Sequence, residues 1–289
     1  MIKKYLAGKA GLIADELLVF IEQHSQEALA LDLDCLAFLK EFVVSGKLYR
    51  GGLVFLGYDL FAQQKSEKLK SESAHHKLLL NLAMLVELTH SAFLLHDDVM
   101  DQDDLRRGYP TFHKLVSDWV KKQGLSDANR VGESLAVCLG DLLIFWGSSL
   151  LTQALLDFSD QKLAQAISTF FHREMEFTAW GQMDDVVLGA SSGEINQELI
   201  MNVLSLKSGH YSVVNPLLLG AMISCRDQSQ LSLLKQAALN LGIVFQVKDD
   251  LLSLQGDTAQ TGKAVGSDIK ENKKTKNNSH APKLLNFSK

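Results

Sequence analysis

The chain has 289 residues, of which 46% are hydrophobic and 22% charged, and its formal net charge at pH 7 is −5. A chain of this length and apolar content can bury a large core, and the lack of a basic excess argues against nucleic acid as a partner. Three widely spaced cysteines without a CxxC pair argue against both a disulfide framework and a zinc site.

The N-terminal region shows no export signal, because Asp15 and Glu16 interrupt its apolar stretch before signal-peptide length is reached. We therefore expect a cytoplasmic protein. The most membrane-like stretch, Leu135–Leu156, contains Asp141 and is diluted by glycines, serines and a glutamine. A buried helix explains this stretch better than a membrane span, and no transmembrane segment is predicted.

The chain is poor in helix breakers and in strand signals. Prolines occur only at positions 110, 216 and 282, whereas average usage would give about fourteen. No run of alternating β-branched residues is closed by an Asn-Gly or Asp-Gly turn. The sequence therefore predicts an all-α fold. Apolar periodicity places helices near 11–30, 32–45, 50–64, 74–98, 111–123, 130–156, 160–183, 195–206, 208–224, 227–252 and 266–272.

Two of the predicted helices, Leu78–Leu95 and Ala237–Leu254, are apolar on nearly every face, which is typical of helices inside a large bundle. No linker separates two composition regimes before residue 271, so residues 1–271 are predicted to form one large single-domain helical bundle around a central cavity. Residues 272–289 are predicted to be disordered, because this polar run cannot bury enough surface to offset its ordering entropy.

An acidic cluster ends the first of these apolar helices. Asp97 and Asp101 lie four residues apart, so their carboxylates project from one helix face, with Asp98 one residue round. A cation would relieve the repulsion in this cluster, and its hard oxygen ligands suit Mg²⁺. A solvated acidic loop balanced by Arg106 and Arg107 is the alternative. The metal site is favoured because the cluster opens at the mouth of a core, and because paired arginines can hold an anion bidentately.

A second acidic site, Gln246–Asp250, ends the other apolar helix. Two such helix ends can face each other across a cavity. The glycine-punctuated segment 256–268 follows, and its backbone can approach a phosphate closely.

With these two motifs the chain resembles the trans-type prenyl diphosphate synthases, which make geranyl, farnesyl, geranylgeranyl and longer diphosphates. The resemblance covers residues 40–275. The first aspartate-rich motif of the family matches Asp97, Asp98 and Asp101, and the second matches Gln246–Asp250. Further matches are Gly46, Lys47, Arg50, His90, Gly140, Asp141, Gly181, Gln182, Lys207, Ser208 and Lys263.

The resemblance implies an isoprenoid synthase-like fold and a chain-elongating prenyltransferase that condenses isopentenyl diphosphate with an allylic diphosphate. We also expect a homodimer and three Mg²⁺ ions. The implied metal ligands are Asp97, Asp101 and Asp249. The implied catalytic residues are Asp97, Asp98, Asp101, Lys207, Asp249 and Lys263. The implied substrate-binding residues are Lys47, Arg50, His90, Arg106, Arg107, Ser208, Gln246 and Phe93.

Within this set, the resemblance assigns two diphosphate sites. The allylic diphosphate would contact Arg106, Lys207 and Lys263. The diphosphate of isopentenyl diphosphate would be held by Lys47, Arg50, His90 and Arg107, with Gln246 nearby. From the residues alone, a hydrogen-bonded core histidine at position 90 and a surface lysine at position 207 are the alternatives. The ligand role of His90 is favoured because it lies seven residues before Asp97, on the same helix face.

Product length in this family depends on the residues just before the first aspartate motif, which are Ala92 and Phe93 in this chain. Phe93 lies four residues before Asp97, on the same helix face and about 5 Å below it along the axis. Its ring would form the floor beneath the growing prenyl chain, whereas Ala92 is too small to block it. This placement indicates a short-chain product of about C15 to C20.

The chain departs from the family pattern at three places. Leu48 stands where the basic motif normally has an arginine, so one contact to isopentenyl diphosphate is expected to be missing. Ser253 replaces the last aspartate of the second motif. Members of the family usually continue well past the position of Lys274, so we expect a C-terminally shortened chain that lacks the usual last helices and has impaired activity.

Two other functions stay open. A catalytically weak or regulatory subunit of a two-chain prenyl synthase is supported by Leu48, Ser253 and the short C-terminus. A terpene cyclase or head-to-head synthase on the same fold has less support, because Lys47, Arg50 and Lys263 indicate a second diphosphate pocket.

Overall fold

The computed structural model describes residues 2–24, 34–62, 72–191, 196–225 and 227–255. Nearly all of these residues are helical, which confirms the predicted all-α fold. The α-helices are α1 (Ile2–His24), α2 (Cys35–Val44), α3 (Tyr49–Ala62), α4 (Glu72–Met100), α5 (Phe112–Lys122), α6 (Ala128–Leu156), α7 (Gln161–Ala190), α8 (Gln197–Val203), α9 (Asn215–Ser224) and α10 (Gln228–Gln255). A π-helix, Leu204–Val214, joins α8 to α9, and a short hairpin of β1 (Leu105–Arg106) and β2 (Tyr109–Pro110) joins α4 to α5.

Most predicted helix positions agree with the structure, and the first helix is the main exception. Helix α1 begins at Ile2 and not near residue 11. Leu6 in this early part is buried and would meet any side chain added at Gly52 of α3, so tertiary packing overrides the low helix propensity of Gly8 and Gly11. The predicted helix 266–272, the domain boundary at 271 and the predicted disordered tail all lie outside the described residues.

Helix α4 is a central helix of the bundle, as its apolar sequence predicts. Its side chains at Leu82, Leu85, Leu88 and Leu95 are fully buried, and the helix contacts α3 on one side and α6 on another. The first acidic cluster therefore begins where a core helix reaches the edge of the bundle.

Two helices, His75–Met100 and Ala128–Leu156, are long and apolar enough to cross a membrane by length and composition alone. This is weak evidence, because core helices of soluble proteins pass the same test. In the first helix 72% of the most apolar window is buried inside the fold, as in a core helix, but in the second only 39% is buried. Helix α6 thus buries one face and exposes another. The absence of a transmembrane segment stays a prediction.

The π-helix replaces a break that the sequence pattern placed at residue 207. A π-helix is rare, and it often occurs at functional sites. Two close approaches hold it between α7 and α10. A side chain at Gly181 of α7 would collide with the backbone of Lys207, and a Cβ added at Gly242 of α10 would lie 2.7 Å from the Cα of Gly209. Glycine at these positions lets the backbones of α7 and α10 approach the π-helix directly.

A buried carboxylate connects the same three elements. Glu174 of α7 has a relative exposure of 0%. Its Oε2 lies 2.6 Å from Nδ1 of His210 in the π-helix, and its Oε1 accepts a hydrogen bond from Nζ of Lys235 in α10 at 2.7 Å. One side chain therefore connects α7, the π-helix and α10.

We expect Glu174→Ala to lower the free energy of unfolding by about 3 kcal/mol, because the variant leaves His210 without its buried acceptor. The low end of the usual range applies because Lys235 is partly exposed. Chemical denaturation followed by circular dichroism measures the loss. Glu176→Ala is the matched control, since Glu176 lies on the same helix in an exposed pair with Arg173. Equal stability of the two variants would contradict the structural role of Glu174.

Candidate active site

Asp97, at the C-terminal end of α4, lies among polar side chains from two other elements. Its Oδ1 accepts hydrogen bonds from Nζ of Lys207 and Nε2 of Gln182, both at 3.3 Å. Lys207 Nζ also donates to Oδ2 of Asp185 at 2.7 Å. The side chains of Lys207, Asp97 and Asp185 are each only 22% exposed. Lys207 is therefore a partly buried member of the site, which excludes the alternative of a surface lysine.

Asp101 shares a helix face with Asp97. Its backbone N–H donates to the carbonyl of Asp97 at 2.8 Å, which shows that the helical geometry continues between the two residues. Both side chains lie at intermediate exposure at the end of α4. We call Asp97, Asp101 and Lys207 the carboxylate subsite.

Asp98 points away from this subsite and anchors Arg106. It is only 1% exposed, and its Oδ1 accepts a hydrogen bond from Nε of Arg106 at 2.7 Å. The guanidinium also lies 3.3 Å from Oδ2 of Asp103 and 3.9 Å from Oδ2 of Asp97. Burial alone lowers the pKa of Arg106, but the charge and hydrogen bonds of Asp98 outweigh it and hold this pKa above its ordinary value. The buried Asp98 thus fixes the position of Arg106.

Arg106 and Arg107 lie next to each other in the short hairpin, but their side chains contact different parts of the fold. Its turn residues Arg107 and Gly108 have φ values of 55° and 84°, as a tight two-residue hairpin requires. Arg106 faces the carboxylates, whereas Nη1 of Arg107 donates to Oγ of Ser45 at 2.6 Å and to the carbonyl of Phe42 at 3.3 Å. The sequence signals for a hairpin missed this turn, because it contains Arg-Gly and its strands are only two residues long.

A second group of basic residues lies around Tyr211 of the π-helix. Arg50 of α3 donates from Nη2 to the hydroxyl of Tyr211 at 3.1 Å and to Oγ of Ser212 at 3.0 Å. The same tyrosine hydroxyl lies 3.1 Å from Nδ1 of His90. Burial, followed by the charges of Arg50, Arg107 and Arg106, holds the pKa of His90 well below its ordinary value. His90 is therefore neutral near pH 7.

Arg107 belongs to the same group. Burial lowers its pKa, and the charge of Arg106 lowers it further. Glu87 lies behind these cations, where it is buried and accepts a hydrogen bond from the backbone N–H of Gly51 at 2.7 Å. Burial raises the pKa of Glu87. We call Arg50, His90 and Arg107 the cationic subsite.

The loop between α2 and α3 borders this subsite. A Cβ added at Gly46 would lie 2.9 Å from Nη2 of Arg107, so glycine leaves room for the guanidinium. Lys47 is exposed, with its Nζ 5.8 Å from the ring centre of Tyr49. Leu48 has φ of 48° and is only 4% exposed, so its side chain lies in the core. The missing arginine contact predicted from the sequence fits this inward placement.

Phe93 lies on the same face of α4 as His90 and Asp97, as predicted. Its ring meets the ring of Tyr211 edge-on, with 5.5 Å between the centroids. Tyr211 therefore contacts both the cationic subsite and the residue predicted to form the floor of the prenyl cavity. Ser208, a predicted substrate-binding residue, is buried in the π-helix next to Lys207.

The second acidic motif lies on α10, with its two aspartates in different environments. Asp250 is buried, and its Oδ1 accepts a hydrogen bond from Nε2 of Gln246 at 2.9 Å. Asp249, the predicted metal ligand, is exposed. Lys263 lies outside the described residues, as does the side chain of Ser253.

The carboxylates of Asp97 and Asp101, at the end of α4, suit Mg²⁺ that is also bound by a substrate. Within the described ranges, no three acidic, histidine or cysteine side chains stand together as a complete metal site. Asp97 and Asp101 nevertheless offer hard carboxylate oxygens on one helix face. Mg²⁺ is commonly bound by one or two carboxylates together with substrate phosphates, and these two residues suit that arrangement.

Two grooves of about 390 and 500 Å³ lie along α7 and share Lys162 and Ala166 in their linings. None of the predicted site residues lines either groove. The central cavity expected from the sequence therefore stays a prediction.

The structure adds residues that sequence reasoning did not assign to the site. Asp185 lies three residues after Gln182, and this spacing alone would have placed both on one face of α7. Tyr211 lies four residues after Lys207, which would suggest a shared face in an α-helix. Glu87 gave no signal, because it stands within an apolar helix and was masked by its neighbours.

Comparisons with known proteins identify a family and a fold. A family model described as polyprenyl synthetase matches residues 35–285. The geranylgeranyl diphosphate synthase of Sulfolobus acidocaldarius is 31% identical over 234 residues, which cover 81% of this chain and 62% of that protein. The short chain isoprenyl diphosphate synthase of Methanocaldococcus jannaschii is 32% identical over 211 residues, which cover 73% of this chain and 58% of that protein.

A similar fold occurs in the crystal structure of geranylgeranyl pyrophosphate synthase from Corynebacterium glutamicum, complexed with isoprenyl diphosphate and magnesium. The TM-score is 0.81 at 29% sequence identity, and the match covers 96% of this chain and 79% of that one. The chain spans less than two thirds of the length of the two relatives from Sulfolobus and Methanocaldococcus.

Proposed function

The chain belongs to the polyprenyl synthetase family, and we propose that it is a chain-elongating prenyltransferase that condenses isopentenyl diphosphate with an allylic diphosphate. The observation that carries this proposal is the pair of subsites at the end of α4. Asp97 and Lys207 meet in the carboxylate subsite, whereas Arg50, His90 and Arg107 form the cationic subsite. Two diphosphate-bearing substrates need two such subsites.

The carboxylate subsite suits the allylic diphosphate. Mg²⁺ bound there would neutralise the charge of the diphosphate and make it a better leaving group. The residues that would hold three such ions are Asp97, Asp101 and Asp249. Lys207 lies beside Asp97, where its ammonium can contact a diphosphate oxygen directly. Arg106 lies on the other side of Asp97 and keeps its charge, because Asp98 raises its pKa.

The cationic subsite suits isopentenyl diphosphate, whose diphosphate does not leave. Arg50 and Arg107 stand near each other, and Arg106 and Arg50 both lower the pKa of Arg107. A bound diphosphate would relieve this repulsion and can be held bidentately by guanidinium groups. Lys47 is exposed in the loop between α2 and α3, which borders this subsite, and its flexible side chain can close on the anion.

The proposed reaction balances without an external oxidant or reductant. The bond between C1 of the allylic substrate and its diphosphate oxygen breaks, and the diphosphate leaves with the electron pair. The double bond of isopentenyl diphosphate then forms a new carbon–carbon bond to C1. Loss of a proton from the resulting cation gives the longer allylic diphosphate, with the released diphosphate as the proton acceptor. Electrostatic stabilisation of the separating charges by Lys207 and Arg106 lowers the barrier.

The other functions have less support. A terpene cyclase handles one diphosphate and would leave the cationic subsite unused. The named relatives are synthases in their own right, which does not favour a purely regulatory subunit. The cytoplasmic location stays a prediction, which cell fractionation can test.

The carboxylate subsite can be tested by assaying turnover. Purified protein, incubated with Mg²⁺, labelled isopentenyl diphosphate and C5, C10 or C15 allylic diphosphates, should form longer prenyl diphosphates. Asp97→Ala should lower turnover by at least about 10³-fold, because it removes a carboxylate that holds the leaving group. Asp118→Ala is the control, since Asp118 lies in an exposed pair on α5.

The turnover of Asp249→Ala should be compared with that of Asp250→Ala, which removes the neighbouring buried aspartate that bonds to Gln246. If Asp249 is the metal ligand, its removal should cost as much as that of Asp97, and the Mg²⁺ concentration for half-maximal turnover should rise. Near-normal turnover of Asp97→Ala, or no product from the wild-type chain with any allylic substrate, would contradict the proposed function.

A further prediction concerns product length. Phe93→Ala should lengthen the products by one or more C5 units, because it removes the ring about one helical turn below Asp97. Chromatography of the labelled products measures the shift. Phe158→Ala serves as a control, because the ring of Phe158 packs against His75, near the opposite end of α4 from Phe93. An unchanged product distribution would leave Phe93 as ordinary packing and place the floor on another helix.

The exposed face of α6 supports the proposed homodimer. Val137, Leu142 and Phe145 are exposed on this helix, with Phe145 69% exposed. At the helical repeat these three residues fall on one half of the helix surface, whereas the buried residues Leu139 and Leu143 fall on the other half. A second copy that places the same face against this one would bury them by two-fold symmetry.

Analytical ultracentrifugation at micromolar concentration should therefore show a dimer, and Phe145→Glu should convert it to a monomer by placing a charge in the interface. Leu233→Glu is the control, because Leu233 is equally exposed but lies on α10. A wild-type monomer would overturn the dimer. A protein that stays in solution only with detergent would also contradict the dimer, because lipid would then cover the exposed face of α6.

A further inference from the structure

We propose that Tyr211 is a positioning residue that fixes His90 in the tautomer with its proton on Nε2, so that His90 donates a hydrogen bond to the diphosphate in the cationic subsite. The proposal rests on the proposed function for the identity of that diphosphate. It rests on the contacts of Tyr211 for everything else. Tyr211 belongs to the π-helix, whereas Arg50 and His90 come from α3 and α4.

The proton positions follow from the kinds of groups that meet at Tyr211. A guanidinium carries only donors, so the bond from Nη2 of Arg50 uses the tyrosine oxygen as an acceptor. The hydroxyl has one proton, and its other hydrogen-bond partner among the described residues is Nδ1 of His90, at 3.1 Å. Donation from the hydroxyl to an unprotonated Nδ1 satisfies both groups, whereas a proton on Nδ1 would leave the hydroxyl proton without an acceptor among these partners. The geometry therefore favours a neutral His90 with its proton on Nε2.

The charges around His90 favour the same arrangement. Its pKa is lowered by burial and by the nearby cations Arg50, Arg107 and Arg106, so a second proton on the ring is disfavoured. A neutral imidazole with a proton on Nε2 supplies a donor for an anion without adding another positive charge. Tyr211 thus lets the cationic subsite gain a hydrogen-bond donor while avoiding further repulsion.

The position of the ring separates this role from the role of Phe93. The ring of Tyr211 packs edge-on against Phe93, and the guanidinium carbon of Arg50 lies 4.7 Å from the centre of the same ring. Tyr211→Phe keeps these ring contacts and removes only the hydroxyl. Its effect should fall on isopentenyl diphosphate and not on the length of the product.

The kinetic test compares Tyr211→Phe with Tyr58→Phe. Tyr58 is a matched control, because its hydroxyl lies 3.3 Å from Nδ1 of His75, a second tyrosine–histidine pair outside both subsites. Tyr211→Phe should raise the KM for isopentenyl diphosphate by about tenfold, with much smaller changes in kcat and in the KM for the allylic substrate. In a His90→Ala background the same substitution should have little further effect. Equal effects of Tyr211→Phe on the KM of both substrates, or additive effects with His90→Ala, would overturn the proposal.

A spectroscopic test is independent of turnover. The ¹⁵N chemical shifts of His90 in the free protein should show an unprotonated Nδ1 and a protonated Nε2, and Tyr211→Phe should shift the ring toward a mixture of tautomers. A wild-type His90 with its proton on Nδ1 would overturn the proposal even in an active enzyme. Wild-type protein with the expected tautomer but no prenyltransferase activity would instead contradict the proposed function and leave the role of Tyr211 in positioning His90 supported.

Discussion

The geometry of the site depends on one buried carboxylate. Glu174 connects three elements, and each of them carries groups assigned to the proposed site: Gln182 and Asp185 on α7, Lys207 and Tyr211 on the π-helix, and the second acidic motif on α10. A buried charge is tolerated only where partners of opposite charge or hydrogen-bond donors meet it. The elements that satisfy Glu174 are therefore held at fixed positions relative to one another, which places Lys207 of the π-helix beside Asp185 of α7.

A second constraint separates the charges at the end of α4. Arg106 and Arg107 are adjacent in sequence, yet the hairpin turn between β1 and β2 gives them opposite environments. Arg106 stays charged, and the carboxylates of Asp98 and Asp103 compensate its charge. Arg107 contacts a hydroxyl and a carbonyl, neither of which carries a compensating charge. The hairpin turn thus assigns Arg106 to the carboxylates Asp98 and Asp103, and leaves Arg107 with neutral hydrogen-bond partners.

The sequence predicted what depends on periodicity and spacing. The long apolar runs predicted α4 and α10, and the spacing of Asp97 and Asp101 predicted a shared face, which the helical hydrogen bond between them supports. The π-helix was not predictable, because it depends on close contacts with Gly181 and Gly242 that are distant in sequence. The inward role of Asp98 was missed for a similar reason, since its partner Arg106 reaches it only through the hairpin turn. Local pattern thus defines the elements, whereas tertiary contacts decide which of their polar residues face the substrates.

Leu48 shows how packing and substrate binding compete at one position. Its backbone is in the left-handed region, which costs a non-glycine residue roughly 1 to 2 kcal/mol. Its side chain is buried among the core residues, and full burial of a leucine contributes roughly 1.5 to 3 kcal/mol. Burial of the side chain offsets this strain, so apolar packing accounts for the residue without any contact to a substrate. The cationic subsite must then rely on groups held by other means, namely Arg50 through Tyr211 and Ser212 and Arg107 through Ser45. Those two arginines are fixed by hydrogen bonds to neutral partners, so their charge stays available for an anion. A leucine in place of an arginine at position 48 therefore lowers the positive charge of the subsite but leaves the positions of Arg50 and Arg107 unchanged.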